Sequence, residues 1–210
     1  MYRKVSDSTV RRLSLYLRIL EDVEDPRGTV SSEDLADQAG TTAAQVRKDL
    51  SLFGSFGKRG LGYLVPELSG RLRQILGLDR EWRVALVGAG RIGAALFEYP
   101  GFRSRGFEIV AVLDHDPAKI GERWGNVTIE DVAHMEEVFA ETATQILIMA
   151  VPARAVQELV DRAVAAGVRA VLNFAPAQVK VSQDVALKDV NVVMELEALS
   201  FTLSQGREGR

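Results

Sequence analysis

There is no cysteine in this chain. That excludes disulfides, thiolate zinc sites and thiol-based redox switching. A chain without thiols that senses redox state must do so through a bound molecule. Histidine is nearly missing as well: there are two, His115 and His134, too few for a His-based metal cluster. No apolar run approaches the roughly 20 residues of a membrane helix. The N-terminus carries no signal-peptide pattern, so a cytoplasmic location is expected. A strong charge excess is also lacking, since the net charge is −3.

The 210 residues are 47% hydrophobic and 26% charged, as in an ordinary globular protein of one large or two modest domains. The charges are segregated. Arg3, Lys4, Arg11, Arg12 and Arg18 stand against Asp7 alone in residues 1–18. Residues 19–46 are acidic, with Glu21, Asp22, Glu24, Asp25, Glu33, Asp34 and Asp37 against Arg27. Residues 47–63 turn basic again through Arg47, Lys48, Lys58 and Arg59. A basic face on a small domain and a mixed solvated surface both fit this pattern.

Val10, Leu13, Leu17 and Leu20 are spaced for one face of a helix, which Pro26-Arg27-Gly28 ends. Ser32 is expected to cap a second helix that stops at Gly40. Thr41 or Thr42 caps a third, with Val46 and Leu50 inward and Gln45, Arg47, Lys48 and Ser51 outside. Two short helices joined by a tight turn make a helix-turn-helix. Residues 53–64 read as a β-hairpin with a glycine-rich turn and Lys58-Arg59 at its tip, which completes a winged helix. A tip of that kind suits DNA phosphates or the minor groove. No GK[ST] follows the glycines, so they do not form a P-loop. Pro66 opens a further helix that ends at Gly77.

After a linker at 78–82 the pattern changes. Apolar runs Val84–Val87, Ile109–Leu113, Ile146–Val151 and Ala170–Phe174 alternate with helical stretches near 91–98, 130–140 and 153–166. Nearly continuous apolar strands predict a parallel sheet buried on both faces. The first run leads into Gly88-Ala89-Gly90-Arg91-Ile92-Gly93. In a strand–turn–helix context this is a dinucleotide-binding turn: Gly88 for the tight turn, Gly90 for backbone approach to a pyrophosphate, Gly93 for helix packing. Asp114 ends the second run, where a carboxylate can bind ribose hydroxyls and repel a 2′-phosphate, favouring NAD(H) over NADP(H). Arg91 can face the pyrophosphate, form an intersubunit pair or lie in solvent. Tyr99 is either a switch element near the nicotinamide or a packed aromatic. Neither histidine has neighbours that suggest hydride-transfer chemistry, so an enzyme is not expected. Residues 194–203 form an amphipathic stretch with Leu196, Leu199 and Leu203 on one face and no local domain to cover.

The chain resembles the Rex family of redox-sensing transcriptional repressors over nearly its whole length. The resemblance rests on QVRKDLSLFGSFGKRGLGY, VGAGRIG, EYPGF, VLDHDP, AVPA, VLNFAP and the final ELEALSFTL. It implies a homodimer with an exchanged C-terminal helix that packs between the partner's DNA-binding and cofactor domains. It also implies a palindromic operator upstream of fermentation and respiration genes, bound with NAD⁺ and released by NADH. In the family an aspartate before the last helix can bond the tyrosine matching Tyr99. Asn191 stands there in this chain, an amide without charge.

The expected architecture is α/β: a winged helix-turn-helix at 1–78, a Rossmann-like NAD(H)-binding domain at 79–193 and a dimerisation helix at 194–206. Candidate cofactor residues are Gly88, Ala89, Gly90, Arg91, Ile92, Gly93, Asp114, Val151, Pro152, Asn173, Phe174 and Tyr99. Candidate DNA residues are Gln45, Arg47, Lys48, Ser51, Lys58 and Arg59. A nicotinamide pocket lined by Val151, Phe174 and Pro176, with no carboxylate nearby, would disfavour the cationic oxidised ring. Two rival readings stand beside this one, a small NAD-dependent oxidoreductase and a CoA-binding module.

Overall fold

A computed structural model describes residues 5–57 and 61–205. The chain divides into two compact units, Met1–Arg80 and Glu81–Arg210.

The first unit packs four helices around one core. Helix α1 (Asp7–Glu21) is capped by Ser6, whose hydroxyl accepts from Thr9 N at 3.2 Å. Strand β1 (Thr29–Val30) precedes α2 (Ser32–Ala39). The cap of α2 is Ser31, one residue earlier than the sequence suggests. Ser31 and Asp34 form a reciprocal capping box, each side chain accepting the other's backbone N–H at 3.0 Å. Ser32, the first helical residue, is buried. Gly40 turns the chain in the left-handed region (φ 62°), and Thr42 caps α3 (Ala43–Ser51). Strand β2 (Tyr63–Leu64) and helix α4 (Val65–Ile75, with Pro66 in its first turn) follow.

Leu13, Tyr16, Leu17, Leu35, Val46, Leu50, Leu68 and Leu72 form the core of this unit. Cutting one of these leucines to alanine costs about 2–5 kcal/mol. Val10 departs from its predicted place: it is 42% exposed, and Thr9 is buried in the first turn instead. The tip of the expected hairpin, residues 58–60, lies outside the described residues. Among the described residues β2 pairs antiparallel with β1, through Thr29–Leu64 and Val30–Tyr63, so the wing's strand partner comes from before the helix-turn-helix.

The second unit is a twisted sheet with helices on its faces. In chain order it runs β3 (Trp82–Val87), α5 (Arg91–Phe97), α6 (Pro100–Arg103), β4 (Phe107–Asp114), β5 (Arg123–Trp124) and β6 (Val127–Asp131). A 3₁₀ turn at Val132–His134 leads to α7 (Met135–Glu141). Then come β7 (Ile146–Met149), α8 (Ala153–Ala165), β8 (Ala170–Asn173), β9 (Ala186–Asp189) and α9 (Val192–Gln205). The strand order is β5-β6-β4-β3-β7-β8-β9. All pairs are parallel except β5 with β6.

Side chains alternate between two clusters. Ala85, Val87, Leu113, Leu147 and Met149 pack towards Phe139, Val156 and Val160. Val84, Leu86, Val112 and Ile148 pack towards Leu96, Phe97 and Phe102 on the other side. Because β4 lies to one side of β3 and β7 to the other, the strand order reverses at β3. That reversal opens a crevice at the C-terminal strand ends.

Candidate dinucleotide crevice and nucleic-acid interface

The glycine turn sits at the end of β3, and its three glycines differ in what surrounds them. Gly88 has φ 105°, and a Cβ there would collide with the Ala150 carbonyl and lie 3.2 Å from Val151 Cγ1. A Cβ on Gly93 would strike the Gly88 carbonyl, so α5 crosses the strand end closely. Gly90 is exposed, and a Cβ there would meet nothing within 4 Å. The first two glycines are therefore packing devices. The third leaves bare backbone open to a ligand, and α5 begins without any side-chain cap on its amide groups. These residues fit a pyrophosphate. Arg91 and Ile92 are exposed on the first turn of α5, and Ala89 is buried.

Asp114 ends β4 beside this turn. Its Oδ2 accepts from Ala89 N (2.7 Å) and Lys119 Nζ (3.2 Å). Its Oδ1 accepts from His115 N (2.7 Å) and Asp116 N (2.9 Å). Burial alone would raise this carboxyl's pKa; the amide bonds and Lys119 outweigh it and hold it below its ordinary value. All four acceptor positions are thus engaged within the protein. Asp114 braces the glycine turn, and a ribose hydroxyl must displace one of these donors to reach it. Lys119 was not singled out from the sequence; a lysine five residues after the acid, in VLDHDPAKIG, was the available signal.

Asn173, at the end of β8, is also turned inward. Its Nδ2 donates to Asp189 Oδ1 (2.8 Å) and to the Ala175 and Ala177 carbonyls, and its Oδ1 accepts from Ala175 N. Asp189, on the last strand of the sheet, therefore lies directly against Asn173. Phe174 and Val151 are partly buried, whereas Pro152 and Pro176 are exposed. Tyr99 is 53% exposed at the start of α6 and meets Phe102 edge-on, with centroids 5.3 Å apart. Asn191 caps α9, its Oδ1 accepting from Val193 N at 3.0 Å and Met194 N at 3.3 Å.

On α3, Lys48 and Ser51 are exposed. Arg47 Nη1 donates to Ser32 Oγ (2.6 Å) and Glu33 Oε1 (3.1 Å), so this arginine reaches α2. Gln45 Nε2 donates to Asp49 Oδ1 at 2.8 Å. Asp49 is buried, which sequence reasoning missed: an aspartate within a basic helix reads as surface charge. Lys58 and Arg59 lie outside the described residues.

Two family models match the chain: a putative DNA-binding protein N-terminus at residues 4–51 and a CoA-binding domain at residues 79–177. Among curated relatives, the redox-sensing transcriptional repressor Rex of Chloroflexus aurantiacus is 45% identical over 203 residues, covering 96% of each chain. Its counterpart from Desulfitobacterium hafniense is 46% identical, covering 97% of this chain and 98% of the relative. This chain belongs to the Rex family. Solved Rex structures agree. RSP, a Rex-family repressor, superposes with a TM-score of 0.89 at 35% identity, over 98% of this chain and 96% of RSP. RSP in complex with β-NAD⁺ and operator DNA gives 0.92 at 36% identity, over 98% and 95%. RSP with β-NADH gives 0.88 at 34% identity, over 98% and 97%. The two-part Rex architecture, a DNA-binding unit followed by a Rossmann-like parallel sheet, is the fold seen here.

Proposed function

We propose that this Rex-family chain is a redox-sensing transcriptional repressor that binds palindromic operator DNA and is released by NADH, so that it responds to the NADH/NAD⁺ ratio. It is a regulator rather than an enzyme, as the names of its relatives state. The observation that carries the reading is the pairing of two features in one chain. One is a helix-turn-helix with exposed basic side chains on α3; the other is a glycine turn whose Gly90 leaves open backbone at a topological switch point.

In this reading residues 1–78 read DNA, 79–193 hold the dinucleotide and 194–206 make the homodimer. The turn Gly88-Ala89-Gly90-Arg91-Ile92-Gly93 holds the dinucleotide, with Gly90 and the start of α5 meeting the pyrophosphate and Gly88 and Gly93 shaping the turn. Asp114 faces the adenosine side, and Tyr99, Val151, Pro152, Asn173 and Phe174 border the nicotinamide. Gln45, Arg47, Lys48 and Ser51 meet the major groove, with Lys58 and Arg59 on the phosphates or minor groove. Both ring states share the adenine and pyrophosphate contacts, so discrimination arises where the oxidised ring's positive charge would be buried. No helix among the described residues is long and apolar enough to cross a membrane. A regulator of this kind works in the cytoplasm, with the chromosome.

Calorimetry with NADH, NADPH and CoA tests the ligand. NADH is expected to bind best, with CoA failing to displace it. Tighter binding of CoA, or equal affinity for NADH and NADPH, overturns the cofactor assignment.

A further inference from the structure

The DNA-reading unit contains a buried carboxylate that the account so far leaves without a role. Asp49 is 1% exposed. Its Oδ1 accepts from Arg12 Nη2 (2.7 Å) and Gln45 Nε2 (2.8 Å), and its Oδ2 from Arg12 Nε (2.6 Å) and Tyr16 hydroxyl (3.0 Å). The four acceptor positions of the carboxylate are filled. Two helices meet at this one group: Arg12 and Tyr16 belong to α1, Gln45 and Asp49 to α3.

The consequence falls on Gln45. Its side chain is an amide, with an acceptor oxygen and a donor nitrogen that differ little in shape. A free glutamine presents either one. Asp49 accepts only, so a flipped amide would set oxygen against oxygen beside a buried negative charge. The carboxylate therefore fixes which end of Gln45 points inward, and bidentate Arg12 keeps the carboxylate ionised and in place. One Nε2 hydrogen is committed to Asp49, leaving Oε1 and the other Nε2 hydrogen for a ligand. Gln45 lies in the first turn of α3, where a recognition helix meets base edges. Glutamine reads adenine in the major groove by accepting from N6 and donating to N7.

We propose that Asp49 is a positioning residue for base reading, which locks the Gln45 amide in the orientation that recognises an adenine in each operator half-site. The proposal rests on α3 being the base-reading helix. It assigns Asp49 no contact with DNA. It also separates two kinds of residue on one helix. Lys48 is free to follow a phosphate, whereas Gln45 is held by its neighbours before DNA arrives.

The test uses the full chain and a palindromic duplex that the parent protein selects from a random-sequence pool. Each A·T pair of the half-site is replaced in turn by G·C, and an unrelated duplex reports non-specific affinity. In the parent, one replacement is expected to cost about tenfold or more through loss of the glutamine pair. Gln45→Ala should erase that cost at that position alone. Asp49→Asn should erase most of it too, with affinity for the unrelated duplex unchanged. A folded Asp49→Asn protein that keeps the parent's full discrimination overturns the proposal. So does one that loses affinity equally for every duplex, because that is the mark of a purely structural tie. A parent that prefers no duplex overturns the base-reading role of α3 itself, and this proposal with it. Should Asp49→Asn fail to fold, nitrogen-15 relaxation of the Gln45 side-chain amide in the parent decides. Gln45 is expected to be as rigid as the backbone, unlike the exposed Gln178. Equal mobility of the two side chains overturns the lock.

Discussion

Helices α3 and α9 have opposite relations to water. The first, nine residues rich in polar groups, buries Val46, Asp49 and Leu50. The second is fourteen residues long and mostly apolar, yet buries none. Val192, Val193, Met194, Leu196, Leu199, Phe201 and Leu203 are all at least 60% exposed. The sequence predicts an amphipathic helix with Leu196, Leu199 and Leu203 on one face. The helix keeps that face, and Met194 and Phe201, seven residues apart, add a second exposed stripe. A helix apolar on more than one side is built to be enclosed rather than laid on a surface. Burying one such side chain gains about 1.5–3 kcal/mol, and seven are left exposed here. The comparison teaches that α3 buries one side within its own unit, whereas α9 leaves its apolar side chains uncovered among the described residues, as the proposed homodimer requires.

The largest effect expected from breaking this contrast is deletion from Met194 onward. Light scattering should show a monomer or weak associate. Operator affinity should fall by about two orders of magnitude or more as linked half-site binding is lost. A truncated dimer that bound operator normally would make α9 dispensable. Phe201→Glu should weaken dimerisation by about 2 kcal/mol or more if Phe201 is a central anchor. Analytical ultracentrifugation reads this; an unchanged dimer would place the second stripe outside the interface.

Arg47→Ala probes the other helix. It should cost about 1–3 kcal/mol of operator binding if the contact is to a base, and leave the oligomeric state alone. Arg47 meets Ser32 and Glu33 in the free protein, so DNA must take it from them.

The smallest effect concerns acid. The bonds from Arg12, Gln45 and Tyr16 outweigh the opposing effect of burial and hold the Asp49 carboxyl below its ordinary value. Its stabilising contribution is therefore full above the unfolded-state pKa of about 3.9 and is lost as pH falls through the lower folded value. Thermal melts of Asp49→Asn should show a flatter acid limb than the parent below about pH 4. Parallel limbs would remove Asp49 from the acid response.

Much of this was legible in the sequence because steric demands leave residue-specific traces. Gly88 and Gly93 cannot carry a Cβ, and the apolar runs of β3, β4, β7 and β8 announce buried strands. The edge strands β5 and β9, reading RW and ALKD, carry no such run because they lie at the margins of the sheet. Thr29–Val30 gave no sign of its pairing with Tyr63–Leu64, since a two-residue strand has no periodicity to detect. Asp114 was visible as an acid at a strand end, but its four internal donors were not, because three depend on how the following loop folds back and the fourth, Ala89 N, lies 25 residues upstream. Asp49 was hidden for a similar reason: its partners Arg12 and Tyr16 lie more than thirty residues upstream.

The most direct test of the central claim is an equilibrium titration of the intact protein on its palindromic duplex, with NADH and NAD⁺ added separately. The account predicts tight binding with NAD⁺ or no nucleotide, and release as NADH rises. Release by both nucleotides alike, or by neither, would contradict it.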